Sequence, residues 1–322
     1  MPVPEHPLPR HSASCKARRG SLAFEERDGE KMDILIIQIL NSVFYACILF
    51  LIAAGLSLIY GVMRIVNMAH GSLYALGAYV TAWTIGTFAA GAPIWVLFLL
   101  LPAGAVFVAA VGALIEPTLL RPIYNRPEEY QLLITFAVLL ILEDAMHFMF
   151  GGVPLTAGAV IDSMGTMRVM TLQYPVYNLL VIAIGIASAI FLWAVIYRTK
   201  FGVILRATSQ NMRMASALGL NVKLVYVQAF ALGCFMAGLG GAVVVPAQAA
   251  VLGMGIEALI LAFVVVVIGG LGSLEGALIG ALIVSFVRTA GIQFFPEVEL
   301  AVLYVIAAVV LLVRPTGLFG RA

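Results

Sequence analysis

Charge is scarce in this chain. Asp, Glu, Lys and Arg make up only 11% of its residues, while 63% are hydrophobic. A soluble globule carries about 25% charged and about 45–50% apolar residues, so a water-soluble fold is excluded. Cysteine is also scarce. Cys15, Cys47 and Cys234 show none of the spacings that hold zinc or run thiol–disulfide exchange. Cys47 and Cys234 lie in apolar runs and read as small buried hydrophobes. No lysine follows a glycine, so the G-x-x-x-x-G-K-[ST] phosphate loop is missing and the chain holds no Walker-type ATP site. H-E-x-x-H and G-x-S-x-G are missing too. No catalytic grouping, metal site or cofactor site is visible. The net charge of +2 gives no pointer to nucleic acid, because the basic residues gather in loops.

Long apolar runs fill the space that charge leaves. They lie near 34–63, 71–90, 94–115, 131–150, 176–197, 224–245, 255–271, 274–292 and 298–313. A bilayer span takes about 20 apolar residues, with a range of about 17–25. Three runs are short or Gly-broken, so eight to ten passes are expected, some of them re-entrant. Period-2 alternation is absent, which argues against a barrel. The expected fold is an all-α polytopic membrane protein.

Loop charge orients it. Residues 198–223 carry Arg198, Lys200, Arg206, Arg213 and Lys223 and no acid, so this loop faces the cytoplasm. Arg121 with Arg126, and Arg314 with Arg321, mark further inside segments. The loop 151–175, rich in Gly, Pro and Thr, reads as outside. Five runs precede the basic loop. If all cross, the N-terminus starts outside; if one only re-enters, it starts inside. Residues 1–31 hold six basic and five acidic residues and no apolar stretch. They read as a disordered polar extension, not a secretory signal. Met32, just before the first run, reads as an alternative start, leaving 32–322 as the membrane domain.

Three motifs stand out. In the first, GLSLIYGVMRIVNMAHGSLYALGAY at 55–79, the polar residues Asn67, His70, Gly71 and Ser72 sit between two apolar segments. Polar groups at membrane depth must be satisfied within the protein or line a wet cavity. Two readings stand: a short interhelical loop, or a helix opened along a solute path. The second is GGLGSLEGALIGA at 269–281. Gly272, Gly276 and Gly280 recur at four-residue spacing, which suits close helix packing. Gly71-Ser72-Leu73 and Gly272-Ser273-Leu274 each open an apolar segment, one in each half. Matched broken segments point to a transport pathway through Gly270, Gly272 and Ser273 as well, with ordinary helix packing as the alternative. The third is the basic loop. From 203 to 218 it shows helical spacing, with Val203, Ala207, Met214, Ala217 and Leu218 as an apolar stripe, Arg206, Gln210 and Arg213 on the polar side, and Gly219 as the stop. It reads either as a solvated connector or as a docking helix.

Glu143, Asp144 and His147 are ionisable groups in an apolar run. They read either as a proton relay or as an interfacial cluster near the outer helix end. Glu116 is placed to pair with Arg121 at the inner interface.

These motifs resemble those of LivH-type permease subunits of branched-chain amino acid ABC transporters. The resemblance rests on GLSLIYGVMRIVNMAHGSLYALGAYV, RTKFGVILRATSQNMRMASALGLNV, VVIGGLGSLEGALIGALIV and LLVRPTGLFG, in that order along the chain. The polar extension, the Glu143-Asp144 pair and Ser72, where many relatives carry Glu, depart from the pattern. The resemblance implies a two-half arrangement like that of type II importers, in a bacterial inner membrane. It implies a second homologous permease subunit, with a heterodimer or a homodimer possible, two cytoplasmic ATP-binding subunits and a periplasmic substrate-binding protein. Gly202, Arg206, Met214, Ala215, Ala217, Leu218 and Gly219 would couple to the ATPases. Asn67, His70, Gly71, Ser72, Gly270, Gly272 and Ser273 would line the substrate path. A urea or short-amide permease and a proton-coupled secondary transporter are the alternative functions.

Overall fold

The computed structural model describes residues 12–88, 94–124, 126–169, 171–294, 296–297, 299–314 and 316–320. Every apolar run becomes a helix. The runs correspond to α1 (Ser12–Met63), α2 (His70–Phe88), α3 (Ile94–Ile115), α4 (Glu128–Phe150), α6 (Val176–Arg198), α9 (Val222–Val244), α10 (Met254–Gly269), α11 (Leu274–Phe294) and α12 (Glu299–Val313). Between them lie three short helices, α5 (Ala159–Met164), α7 (Lys200–Gln210) and α8 (Met212–Ala217). The described strands are β1 (Thr166–Val169) and β2 (Leu172–Pro175), an antiparallel hairpin. Among the described residues, six helices are long and apolar enough to cross a membrane, and α10 and α12 supply shorter apolar segments. The chain is an all-α polytopic membrane protein.

α1 extends through 12–31, the stretch expected to be irregular. Its Ala, Leu, Arg, Lys and Glu residues are strong helix formers. Residues 1–11 of that expectation lie outside the described residues. At Asp33, where the apolar part of α1 begins, the carboxylate accepts hydrogen bonds from the Thr171 amide and hydroxyl. The head of this span therefore sits beside the 151–175 cap, the end of the bundle read as outside. The cap also holds the α9–α10 connector, through paired backbone bonds between Leu155 and Ala250.

Small residues set how closely the helices approach. Gly233, Ala237 and Gly241 recur at four-residue spacing on α9. A Cβ on Gly241 would stand 2.0 Å from the Tyr74 carbonyl oxygen of α2, and one on Gly77 would stand 2.5 Å from the Gly238 oxygen. Backbones this close gain dispersion contact that lipid cannot replace. α1, α2 and α9 form the buried centre, with Leu51, Ile59, Leu73, Ala78 and Ala237 fully enclosed.

At the basic end, α3 runs into a π-helical turn, Glu116–Leu120. Glu116 is fully buried, and it accepts from Arg121 at 2.7 Å and from the Tyr124 hydroxyl at 2.5 Å. This is the pair the sequence predicts, with Tyr124 added. Tyr124 in turn meets Tyr226 of α9 edge-on. Removing one partner of a buried ion pair costs about 3–5 kcal/mol. Glu116→Ala is therefore expected to lower the thermal midpoint in detergent, and an unchanged midpoint would rule out this anchor.

Candidate functional site

The segment between α1 and α2 is built from local turns. α1 ends where Arg64 turns left-handed at φ 54° while its amide still bonds the Tyr60 oxygen. Asn67 starts the next helix: its Oδ1 accepts from the Ala69 amide at 3.1 Å, and its carbonyl from His70 at 3.2 Å. Asn67, His70 and Ser72 are buried. The His70 Nε2 lies 3.0 Å from the Ile52 oxygen, and the Ser72 hydroxyl bonds the Leu139 oxygen of α4. Gly71 is required by contact, since a Cβ there would lie 2.0 Å from the Gly255 oxygen of α10. The Asn67 Nδ2 and His70 Nδ1 are buried without a hydrogen-bond partner. This node therefore keeps polar capacity in an apolar interior.

The two Gly-Ser-Leu triplets both open helices, but the structure does not bring them together. Gly272 and Ser273 lie at the basic end, on a cavity of about 790 Å³. Its walls are the end of α1 (Ser57, Gly61, Arg64), the α6–α7 junction (Tyr197, Arg206), Glu275 and the segment 316–320. The Ser57 hydroxyl bonds the Ser273 oxygen across it. Gly270 is turned away, against Gly320, where a Cβ would stand 2.3 Å from the amide nitrogen. Residues 318–319 hydrogen-bond the end of α10, Leu318 to the Ile268 oxygen and Phe319 to the Gly269 oxygen, both at 2.9 Å.

The expected Gly272/Gly276/Gly280 row is corrected. Gly272 precedes α11, with φ 80°, and packs on Gly61. Only Gly276 and Gly280 share a helix face. They meet the Gly269 and Val265 oxygens of α10, which a Cβ on either glycine would approach to 2.3 and 2.4 Å respectively. Ser273 caps α11, its hydroxyl accepting from the Gly276 amide at 3.0 Å, and so the helix starts too late to include Gly272.

The single helix expected over 203–218 is two. Asn211 breaks it and caps α8, accepting from the Met214 amide at 2.9 Å. Thr199 caps α7 in the same way, through Gly202. Gly219 ends α8 at φ 81°, as its position predicts. Arg206 does not face outward; it folds back on the Ile196 carbonyl and the Tyr197 ring. Gly202 is pressed against the Val195 and Ile196 oxygens, and Ala215 is buried. Met212, Met214, Ala217, Leu218 and Gly219 remain exposed, an apolar knob at the basic end with Leu218 74% accessible.

Glu143 has a structural partner. Its carboxylate accepts from the Gly253 amide at 3.3 Å, at the N-terminus of α10, where negative charge is favoured. Asp144 and His147 are exposed near the cap end of α4.

Sequence reading missed a polar cluster near the cap end. Glu257 of α10 and Arg288 of α11 form an ion pair at 3.5 Å. Arg288 lies over the Tyr45 ring at 4.3 Å. With Tyr74 and Gln248 they line a cleft of about 80 Å³. The usable signal was one acid in the run 255–271 and one base in the run 274–292; their 31-residue separation hid the pairing.

A helical membrane bundle held by small-residue contacts, with a recess at each end, has the build of a membrane transport subunit. A model of the family described as branched-chain amino acid transport system / permease component matches residues 38–313, and the chain belongs to that family. Named relatives agree. The chain is 26% identical to the high-affinity branched-chain amino acid transport system permease protein LivH of Salmonella typhimurium, over 88% of this chain and 95% of the relative. It is 27% identical to BraD of Pseudomonas aeruginosa, over the same shares. It is 30% identical to a probable LivH of Methanocaldococcus jannaschii, over 80% of this chain and 79% of the relative. No solved structure matches the chain significantly.

Proposed function

We propose that this chain is the membrane-spanning subunit of an ATP-driven importer that carries leucine, isoleucine and valine across a bacterial inner membrane. The family match over 38–313 is the observation that carries this reading. The relatives are named as transport permeases, which supports a non-enzymatic role, with ATP hydrolysis left to two separate cytoplasmic subunits. A second permease and a periplasmic binding protein complete the expected complex.

The path we infer follows α1. Ile48, Leu49 and Ile52 border the cleft near the cap, His70 rests against Ile52 and Gly55, and Ser57 and Gly61 border the basic-end cavity. Two recesses with a closed polar node between them suit an occluded transporter. Asn67, His70, Gly71 and Ser72 would form the barrier, and Gly272 and Ser273 the inner mouth. Gly270 would shape that mouth from behind. The exposed Met214, Ala217, Leu218 and Gly219 would meet the ATPases, while Gly202, Arg206 and Ala215 hold α7 and α8 to the bundle. ATP can shift such an equilibrium only by favouring one state over the other.

Reconstitution tests the reading. Proteoliposomes holding both permeases and both ATPases should take up leucine when supplied with ATP and loaded binding protein, and this chain alone should not. Uptake by the chain alone along a pH gradient would favour proton coupling. Uptake of urea or short amides in place of leucine would favour the other family branch.

A further inference from the structure

We propose that Arg288 and Glu257 form a headgroup site for a zwitterionic α-amino acid at the cap-end mouth of the path: Arg288 takes the carboxylate and Glu257 the ammonium. This rests on the importer reading and names the residues that would receive its substrate.

The first argument is cost. Charges in membrane helices are expensive and persist where they serve a pathway. Arg288 and Glu257 lie on neighbouring helices, α10 and α11, whose backbones are locked together further along at Gly276 and Gly280. Glycine already supplies that packing, so the charges are not needed to join the helices.

The second argument is access. The Glu257 side chain is 64% exposed and that of Arg288 17%. A helix tie is better hidden, whereas a receiving group has to be reachable. The cleft opens near the α9–α10 connector that the cap holds.

The third argument is complementarity. An amino acid presents one negative and one positive group on a single carbon. A guanidinium offers two parallel N–H donors to a carboxylate, and the Glu257 carboxylate, 3.5 Å from that guanidinium, is the acceptor beside it for the ammonium. The solute replaces one internal ion pair by two external ones, so neither charge is left bare. The Tyr45 ring under Arg288 fixes the fork through its face. Gln248 and Tyr74 add polar edges, and Ile48 and Leu261 give an apolar wall for a branched side chain. The cleft of about 80 Å³ is the size of two or three waters at about 30 Å³ each, room for the headgroup with the side chain on the wall.

The test uses the reconstituted complex with leucine-loaded binding protein. Arg288→Lys keeps the charge opposite Glu257 but loses the two-pronged fork. Leucine uptake should fall roughly tenfold, the effect of one charge-assisted hydrogen bond lost, with an unchanged thermal midpoint. Glu257→Gln should cause a similar loss, and as an exposed group it carries the test alone if Arg288→Lys lowers the midpoint. Full uptake by the stable variant would overturn the proposal, because a merely structural pair tolerates the conservative change. Wild-type complex that carries no leucine would instead overturn the importer reading itself.

Discussion

Gly241→Ala and Gly276→Ala are each expected to lower the thermal midpoint of the purified protein by roughly 5–10 °C, although each adds a single methyl group. The new Cβ at 241 would lie 2.0 Å from the Tyr74 oxygen and 2.8 Å from the Ala78 nitrogen; at 276 it would lie 2.3 Å from the Gly269 oxygen. The obstructing atoms are backbone, so no side chain can swing aside and the helices must separate. Overpacking of this kind costs about 1–3 kcal/mol, occasionally more. Each kilocalorie moves the midpoint by roughly 2–4 °C in a chain of this order of size. Gly86→Ala is the control. It lies exposed on α2 with nothing within 4 Å, and alanine is the better helix former. A fall for Gly241→Ala together with no fall for Gly86→Ala isolates close approach from helix propensity. Equal shifts at both would show that close approach is not what holds α2 on α9.

Ala217→Glu and Leu218→Glu are expected to cut transport about thirtyfold without touching the fold. Both positions are exposed in the isolated subunit, and Leu218 is more accessible than Met212 and Met214 of the same knob. The thermal midpoint should therefore stay where it is. An apolar anchor at the centre of a docking surface is worth about 2 kcal/mol or more, which corresponds to about a thirtyfold loss of productive association. Uptake should fall by about that factor while the ATPase subunits continue to hydrolyse ATP. Gly219→Leu should act differently. Open space surrounds Gly219, so a side chain meets no obstacle, but φ 81° is strained for it by about 1–2 kcal/mol. The end of α8 would be re-aimed. Normal uptake by all three variants would remove α8 from the coupling surface.

Much of the fold was legible because hydropathy and loop charge are local properties. Nine apolar runs became nine helices, the Glu116–Arg121 pair formed, and Gly219 ended its helix at a positive φ. Other features turned on competition that a spacing rule does not weigh. At Asn211 a side-chain cap outweighed the apolar period of 203–218 and split the helix. At Ser273 a cap one residue after Gly272 excluded that glycine from the row it numerically completes. Arg206 sits at a polar helical position, yet it turns to the Ile196 carbonyl in the last turn of α6 and to the Tyr197 ring. The Glu257–Arg288 pair needs two helices to be neighbours, which no single run reveals. The two Gly-Ser-Leu triplets share a local task, starting a helix, and that likeness does not require them to meet.

The segment 316–320 has a practical consequence. Its backbone is bonded to the last turn of α10, and Thr316, Phe319 and Gly320 belong to the rim of the larger cavity. An affinity handle fused beyond residue 320 would leave from that rim, beside Gly272 and Ser273. Such a fusion would load the backbone that closes one side of this cavity, so a handle there shifts the cavity as well as marking the chain.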